Sequence, residues 1–234
     1  MRAEELWKKY PRMFHMAEVG SWPSIEKHAL LSTSALLDVF EWPREERNAI
    51  EAHRRPSKVT LTHPVHGEAV IRDQKPLNEK RLASCLSGGI TVEEWLRLLN
   101  GRVFFWVEEA RLDTLRGAEA YRAERQLVLT IDTRSLVEAH GARILLTHMN
   151  TGATRPFAHP RGRDTFCTIA SYPFDVRRRV VELTVDREVR DIVSHVLKVE
   201  EMGGDEPPLT IWAGRQTRQD EPHAAVRPRE TSAH

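Results

Sequence analysis

Residues 14–33, FHMAEVGSWPSIEKHALLST, and residues 180–185, VVELTV, decide the fold of this chain. The first segment predicts a strand that carries His15, followed by a turn, a short helix and a return to extended chain. The second segment predicts an apolar strand that is interrupted by one carboxylate, Glu182. A histidine and a carboxylate on two strands far apart in the sequence are groups that a fold can bring into one cleft.

The pattern between these two segments predicts an α+β fold. About seven or eight strands and five or six helices follow one another without the strict alternation of a doubly wound sheet. Residues 196–199 predict the last strand, and the chain from residue 213 onward has no apolar periodicity. We therefore expect one domain over residues 1–212 and a disordered tail over residues 213–234.

Composition excludes several classes of protein. The chain has 234 residues, of which 40% are hydrophobic, and its mean hydropathy is −0.49. No apolar run approaches the roughly 20 residues of a membrane helix, and the first residues lack the apolar stretch of a signal peptide. We expect a cytoplasmic protein without a membrane partner. The two cysteines, Cys85 and Cys167, are far apart in the sequence, so they form no CxxC motif and do not indicate a disulfide framework.

Nucleotide-binding and metal motifs are missing from the sequence. No GxGxxG follows a predicted strand and no GxxxxGK[ST] occurs, so a nucleotide would not bind on a Rossmann or P-loop turn. His63 and His66 are separated by a turn and have no third ligand nearby in the sequence, which is a weak metal pattern. We expect no metal.

Arginines cluster in one part of a chain whose net charge is only +1. The cluster lies between residues 155 and 179 and consists of Arg155, Arg161, Arg163, Arg177, Arg178 and Arg179. Guanidinium groups in such a cluster can hold a nucleic-acid backbone or a dinucleotide pyrophosphate. The alternative is a solvated surface loop.

Four residues of the two deciding segments have both a functional and a structural interpretation. Glu182 in a cleft could act as a base or stabilise positive charge, whereas on an open sheet face it would be a surface residue. His15 could bond a ribose hydroxyl, or it could be a satisfied core histidine. Ser32 and Thr33 could orient a ribose or a carboxamide, or serve as the cap of the next helix.

Aromatic and arginine side chains elsewhere complete the candidate site. Phe105 and Trp106 lie on an aromatic strand and could stack on nicotinamide or on a base, although core packing is the more frequent use. Arg72 ends a predicted strand and could hold a pyrophosphate with both arms of its guanidinium group. Arg54 and Arg55 are rivals for this role.

Three parts of the chain carry a resemblance to a known family. Residues 22–30, WPSIEKHAL, are similar to the pattern Leu-Pro-Ser-Ile-Leu-x-x-Gly-Leu, with Ala29 where glycine is usual. Residues 181–185 followed by 189–199 are similar to an Ala-Glu-x-Leu-Val strand, a helix and an edge strand. Residues 103–115 are similar to an aromatic strand followed by a helix. On these segments the chain resembles the DarT family, bacterial toxins that ADP-ribosylate DNA bases.

The resemblance implies a fold and a set of partners. It implies an ADP-ribosyltransferase-like (ART-like) split β-core with an NAD cleft and peripheral helices. Glu182 would be the catalytic carboxylate and His15 would bind the NAD ribose. It also implies NAD as a substrate, a nucleic acid as acceptor, with DNA favoured and single-stranded DNA included, and an antitoxin or ADP-ribosyl hydrolase as partner. The arginine that contacts NAD in the family has no matching motif here.

We therefore predict an NAD-dependent ADP-ribosyltransferase that modifies a nucleic acid, with Glu182 and Arg72 as catalytic residues. The predicted cofactor-binding residues are His15, Met16, Ser24, Ser32, Thr33, Phe105 and Trp106. The predicted nucleic-acid-binding residues are the six clustered arginines. The alternatives are transfer to a protein or small molecule, plain NAD hydrolysis, a non-catalytic nucleic-acid-binding module, and an interaction domain.

Overall fold

Short helices and strands alternate irregularly along the chain in the computed structural model, which describes residues 1–173, 179–204 and 206–214. The α-helices of these ranges are α1 Ala3–Lys9, α2 Trp22–His28, α3 Thr33–Val39, α4 Arg44–Glu51, α5 Glu79–Ala83, α6 Val92–Asn100, α7 Glu109–Arg116 and α8 Thr133–His140. The strands are β1 Arg12–Ala17, β2 Leu30–Leu31, β3 Val59–His63, β4 Gly67–Ile71, β5 Arg102–Trp106, β6 Gln126–Asp132, β7 Ile144–Thr147, β8 Cys167–Thr168, β9 Glu182–Asp186, β10 Glu188–Val189, β11 Val196–Gly203 and β12 Glu206–Ala213. Turns of 3₁₀-helix lie at Gly141–Arg143, Arg163–Thr165 and Ile192–Ser194.

A single large sheet organises the domain. Its strand order is β12-β11-β6-β1-β5-β9-β7-β8, and each neighbouring pair is antiparallel. Two small sheets flank it, one formed by β2 and β10 and the other by β3 and β4. A large antiparallel sheet with helices packed on it, and without regular βαβ alternation, confirms the predicted α+β class.

The large sheet is nearly divided between β1 and β5. Strand β1 pairs with β6 along its whole length, but it pairs with β5 only at Phe14 and Trp106. One residue further along β1, the side chain of His15 rather than the backbone reaches β5, with Nδ1 2.8 Å from the Phe104 carbonyl oxygen. The halves β12-β11-β6-β1 and β5-β9-β7-β8 therefore meet at one narrow junction, where the sheet opens.

Helices cover both faces of this sheet. Leu6 of α1, Ile25 of α2 and Leu136 of α8 belong to the main core cluster with residues of β1, β5, β6 and β9. On the other face, α6 packs Trp95 and Leu96 over the β5 half, and α7 packs Leu112 beside β1 and β6. Each fully buried side chain of this size contributes about 1.5–3 kcal/mol of transfer free energy, so the two halves are held from both faces although few backbone hydrogen bonds join them.

The C-terminal part of the sheet is larger than the sequence predicted. Strand β11 continues to Gly203, and β12 follows it, whereas residues 196–199 were predicted as the last strand. Pro207 and Pro208 hide β12 in the sequence, because proline is tolerated on an edge strand but is not typical of strands. The two-residue strands β2, β8 and β10 also contribute to the twelve described strands, which exceed the predicted seven or eight. Strand β12 extends one residue past the predicted domain boundary, and residues 215–234 lie outside the described residues.

Helix α2 ends at a residue with a strained backbone. Ala29 has φ 85° and ψ 171°, while its N–H still donates to the Ile25 carbonyl at 2.9 Å. This region of backbone space is close to glycine-only, and other residues adopt it at a cost of about 1–3 kcal/mol. The strain arises because Ala29 has a β-carbon at a backbone position that favours glycine.

Replacing Ala29 by glycine is expected to stabilise the protein. The relieved strain of about 1–3 kcal/mol exceeds the 0.4–1 kcal/mol by which glycine favours the unfolded chain. We therefore expect the free energy of unfolding to rise by about 1 kcal/mol in a denaturant titration of Ala29→Gly. The control is Ala110→Gly on the exposed face of α7, where the same change should lower this free energy by about 1 kcal/mol. A loss of stability in both variants would contradict the prediction.

Candidate functional site

The opening between β1 and β5 contains two adjoining cavities. We call the first the α2 cavity, because it extends between α2, β2 and β4, and its volume is about 250 Å³. The second, the Glu182 cavity, has a volume of about 270 Å³ and extends toward β9 and α7. Both are lined by His15, Met16, Thr33, Arg55, Arg72, Asp73, Arg102 and Phe104. The two cavities together form one cleft within the size range of about 300–1,000 Å³ that is typical of ligand sites.

Glu182 lies at the inner end of this cleft. It begins β9, where its backbone lies opposite Trp106 of β5 and Thr147 of β7. The residue is only 4% exposed, and it lines the Glu182 cavity. The interpretation of Glu182 as an ordinary surface residue is therefore wrong.

Two threonines hold the Glu182 carboxylate by one of its oxygens. The Thr151 hydroxyl donates to Oε2 at 2.8 Å, and the Thr151 N–H lies 3.2 Å from the same oxygen. The Thr147 hydroxyl is 3.1 Å from Oε2 and 2.8 Å from the Met149 carbonyl, and its one proton serves one of them at a time. Among the described residues, Oε1 has only the Thr151 N–H as a partner, at 3.3 Å, so it is the oxygen that can accept a hydrogen bond from a ligand.

Burial changes the protonation of this carboxylate. Desolvation raises the pKa of Glu182 to about 7, and the hydrogen bonds from Thr151 and Thr147 and the charge of Arg161 oppose this rise without cancelling it. Near neutral pH the group can thus both accept and release a proton. A buried carboxylate with such a shift, in a cleft, is typical of a functional site.

His15 contributes a neutral imidazole to the same cleft. Burial lowers the pKa of His15 to about 4, so the ring carries no charge near neutral pH. Because Nδ1 lies 2.8 Å from the carbonyl oxygen of Phe104, which can only accept, Nδ1 carries the ring proton. Nε2 is therefore an acceptor, suited to the hydroxyl of a ligand.

Arg72 brings a positive charge to the cleft wall. Its guanidinium group lies 5.3 Å from the centre of the Tyr121 ring, and Nη1 is 3.5 Å from the Ala17 carbonyl. The Tyr121 hydroxyl in turn donates to Asp73 at 2.5 Å, which fixes the ring beneath the arginine. Among the described residues no carboxylate lies within 4.0 Å of the Arg72 guanidinium, so its charge is available to an anionic ligand.

The rival arginines are bound to the protein itself. Arg55 is 7% exposed and donates to the carbonyls of Arg72 and Ile50, and burial lowers its pKa to about 10. Arg54 donates to the carbonyl of Gln74 at 3.2 Å and lines neither cavity. Arg72 therefore remains the better choice for an anion.

The predicted cofactor-binding residues lie around the cleft, with one correction. The α2 cavity is lined by Ser24 and Ser32 as well as by the shared residues Met16 and Thr33. The Ser32 hydroxyl also accepts from the Ala35 N–H at 3.2 Å, so its predicted role as a helix cap is confirmed.

The correction concerns the aromatic strand. Phe105 is among the residues that line the Glu182 cavity, but it is only 1% exposed and belongs to the main core cluster, so its ring is not available to stack on a ligand. Strand alternation places Trp106 on the opposite face, where it is partly exposed and lines the Glu182 cavity. Of the two predicted stacking residues, Trp106 therefore remains able to stack, and Phe104, two positions before it, also lines both cavities.

The clustered arginines do not act as one group. Arg161 is 2% exposed and donates to the carbonyls of Thr151 and Ala153, both at 2.9 Å. Its predicted contact with nucleic acid is wrong, because its guanidinium group holds the segment whose Thr151 holds Glu182. Arg163 is exposed and pairs with Glu94 at 3.3 Å.

The remaining arginines of the cluster lie in different places. Arg155 is exposed and lies on a cavity next to the cleft. Arg179 is exposed and contributes its carbonyl to a hydrogen bond from the Tyr172 hydroxyl. Arg177 and Arg178 lie outside the described residues.

Sequence reasoning missed the residues that orient Glu182. Thr147 ends β7, and Thr151 lies in the loop after it, 31 positions before Glu182. No spacing or motif marks them, since threonine in a loop is common and only the pairing of β7 with β9 brings it to the carboxylate. Tyr121 and Asp73, which place Arg72, were missed for the same reason.

A separate group of possible metal ligands lies outside the cleft. His140, Asp191 and His195 offer ligand atoms within 4.8 Å of one another. However, Arg143 is 2.8 Å from Nδ1 of His140 and must donate to it, so Nε2 carries the proton and donates to Asp191 at 2.7 Å. With that proton in place His140 Nε2 is a hydrogen-bond donor rather than a metal ligand.

Comparison with known proteins assigns a family but no function. A model described as a family of unknown function, DUF7002, matches residues 11–196, which is more than half of the chain, so the chain belongs to this family. No curated protein and no solved structure matches the chain. Within the described residues, no helix combines the length and the apolar character needed to cross a bilayer.

The raised pKa of Glu182 predicts a pH-dependent effect of Glu182→Gln. The folded protein binds the Glu182 proton more tightly than the unfolded chain, so this group disfavours folding as the pH rises from about 4.5 to about 7. Relative to the wild type, Glu182→Gln should have a similar free energy of unfolding at low pH. The variant should become more stable above pH 7, by at most about 3 kcal/mol. Denaturant titrations across this range test it, and a difference that does not change with pH would contradict it.

The role of Arg161 predicts a loss of stability when its guanidinium group is removed. Arg161→Met keeps most of the side-chain volume but leaves the carbonyls of Thr151 and Ala153 without their donor. Because hydrogen bonds to charged groups contribute about 1.5–3 kcal/mol, we expect the free energy of unfolding to fall by roughly 2–4 kcal/mol. The matched control is Arg163→Met, an exposed arginine two positions away, which should change it by about 0.5 kcal/mol or less. Equal stability of the two variants would refute the proposed role of Arg161.

Proposed function

We propose that the protein is an NAD-dependent ADP-ribosyltransferase whose acceptor is a nucleic acid. The observation that carries this proposal is the buried Glu182 carboxylate in a cleft between two half-sheets, with Oε1 able to accept a further hydrogen bond and with a neutral His15 lining the same cavity. Few other uses explain a carboxylate that is kept out of water without an ion-pair partner at the end of a ligand-sized cleft. The resemblance of residues 22–30 and 181–199 to the DarT family supports the same assignment.

The residues of the cleft fit the chemical groups of NAD. Arg72 has an available guanidinium group for the pyrophosphate, which it can bind through two parallel hydrogen bonds. Nε2 of His15 accepts from a ribose hydroxyl, and the hydroxyls of Ser32 and Thr33 lie on the same wall to bond a second polar group. Trp106 offers an aromatic face beside Glu182.

Glu182 has two tasks in this mechanism. When the bond between nicotinamide and C1′ of the ribose breaks, its electron pair leaves with nicotinamide and positive charge develops on the ribose. Oε1 of the ionised Glu182, by accepting from the 2′-hydroxyl, stabilises that charge in a site from which water is excluded. The acceptor atom then bonds to C1′ and releases its proton to the carboxylate, whose pKa of about 7 suits that transfer.

The acceptor class rests on the family resemblance and on the arginines near the cleft. We place the protein in the cytoplasm, with DNA as the favoured acceptor and an antitoxin or ADP-ribosyl hydrolase as partner. The alternatives remain transfer to a protein or small molecule, and plain NAD hydrolysis. A binding module on the same fold would retain nucleic-acid binding after loss of Glu182 and would leave NAD intact.

The proposal predicts that Glu182→Gln abolishes transfer while the protein stays folded. Gln keeps the shape and the hydrogen bonds from the threonines but can neither carry the charge nor take the proton. Incubation with labelled NAD and separate pools of single-stranded DNA, duplex DNA, RNA and protein should label a nucleic-acid pool, and the rate should fall at least about 100-fold in the variant.

A matched control is available on the same sheet. Glu200 of β11 is also largely buried, at 9% exposure, and it pairs with Lys198 outside the cleft, so Glu200→Gln should keep full activity. Label on protein, or free ADP-ribose alone, would favour the corresponding alternative. Unaltered NAD in every pool would reject the transferase.

A further inference from the structure

A third cavity opens beside the cleft. Its volume is about 1,040 Å³, and it lies between α7, the segment 75–81 and the segment 150–156. Trp106, Tyr121 and Asn150 line both this cavity and the Glu182 cavity, so the two spaces adjoin. We call it the basic cavity, because its charged lining residues are Lys75, Arg81, Arg111, Arg155 and one acid, Glu119.

Two of these cations are already neutralised by the protein. Lys75 lies 3.4 Å from a carboxylate oxygen of Asp73 and 3.6 Å from one of Glu124. Arg111 pairs with Glu108 at 3.1 Å. A ligand in the basic cavity would have to compete with these ion pairs, so Lys75 and Arg111 are not its main contacts.

The other two cations, Arg81 and Arg155, are available to bind an anionic ligand. Arg81 is exposed and donates only to the Pro156 carbonyl, at 3.1 Å, and Arg155 is exposed on the same rim. Within the described ranges, neither has a carboxylate within 4.0 Å. Two such guanidinium groups in the lining of one cavity are able to bind an anionic group, in a chain whose net charge is only +1.

Trp106 lies where the basic cavity adjoins the Glu182 cavity. It lies directly opposite Glu182 on the neighbouring strand, so the two side chains share one face of the sheet. Because Trp106 also lines the basic cavity, a flat group entering from the arginine rim would reach the indole next to the carboxylate. A ring stacked on an aromatic side chain beside a phosphate site is the arrangement that a nucleotide unit requires.

We propose that the basic cavity binds the acceptor strand, with its phosphates on Arg81 and Arg155 and the target base on Trp106. This inference rests on the proposed function for its acceptor class, and it assigns the acceptor a place on the opposite side of Glu182 from the α2 cavity. Arg163 and Arg179 were predicted to bind nucleic acid, and both are exposed. Because neither lines the cleft or the basic cavity, this inference gives them no role in acceptor binding. A base on Trp106 has left its own stack, so single strands are the preferred form.

The test measures binding and transfer separately. Fluorescence anisotropy with a labelled mixed-sequence single strand of about 12 nucleotides, as DNA and as RNA, gives the affinity at several salt concentrations. The double variant Arg81→Ala, Arg155→Ala is compared with the control Arg163→Ala, Arg179→Ala, which also removes two exposed arginines. Equilibrium binding of NAD is recorded for each protein, because the acceptor site should be independent of it.

We expect the Arg81/Arg155 variant to bind the strand at least 10-fold more weakly, with unchanged NAD binding. The salt dependence of its binding constant should become shallower by about 0.7 per lost phosphate contact. The control variant should bind as the wild type does. Trp106→Ala should weaken strand binding by about 5- to 150-fold, and Trp106→Phe should restore part of it, because the phenyl ring still stacks.

Three results of the binding experiment would overturn the inference. These are absence of strand binding by the wild type, wild-type binding in the Arg81/Arg155 variant, and equal losses in both double variants. Failure of the proposed function has a different signature: NAD would stay intact while the Arg81/Arg155 variant still lost strand binding, which would leave the basic cavity as a nucleic-acid site without transfer. Transfer that is unaffected by Arg81 and Arg155 would retain the proposed function and reject this location of the acceptor.

Discussion

The site depends on the break in the sheet between β1 and β5. Adjacent strands normally satisfy their N–H and C=O groups along their whole length, but here only Phe14 and Trp106 are paired across the junction. The imidazole of His15 supplies a donor to the Phe104 carbonyl, which would otherwise face the opening unsatisfied. The histidine thus closes the edge of the cleft structurally, and the same bond fixes its tautomer, so that Nε2 faces a ligand as an acceptor.

Across the opening from His15, the burial of the Glu182 carboxylate has a desolvation cost. A carboxylate without a cationic partner is unfavourable in a low-dielectric interior, and the rise of its pKa to about 7 measures the part that the hydrogen bonds do not offset. The supporting contacts form a chain, since Thr151 holds Oε2 and Arg161 holds the carbonyl of Thr151. This chain of contacts orients Oε2 through three donors and leaves Oε1 able to accept a further hydrogen bond, which is what an electrostatic role at a developing charge requires.

The sequence predicted the fold better than it predicted the surroundings of the site. The α+β class, the order of the main elements and the burial of β9 follow from apolar patterning, which depends mainly on local residues. His15 and Glu182 could be singled out because each is a polar residue in a largely apolar strand, whereas Trp106 was predicted only together with Phe105, as part of an aromatic strand. By contrast, Thr151, Tyr121 and β12 were missed, since partners that meet only through strand pairing, and an edge strand that begins with prolines, leave no local signal.

Arginine content gave the least reliable prediction, for a physical reason. A guanidinium group has five N–H donors and can satisfy several carbonyls in a core as readily as it can bind a phosphate. Arg55 and Arg161 are used in the first way, and sequence proximity to other arginines does not distinguish them from Arg155. What distinguishes an arginine available to a ligand is the absence of a carboxylate partner, combined with incomplete burial and a place on a cavity wall. By that criterion Arg72 in the cleft and Arg81 and Arg155 in the basic cavity have charge available, so anionic groups can bind in both of the spaces that adjoin at Trp106.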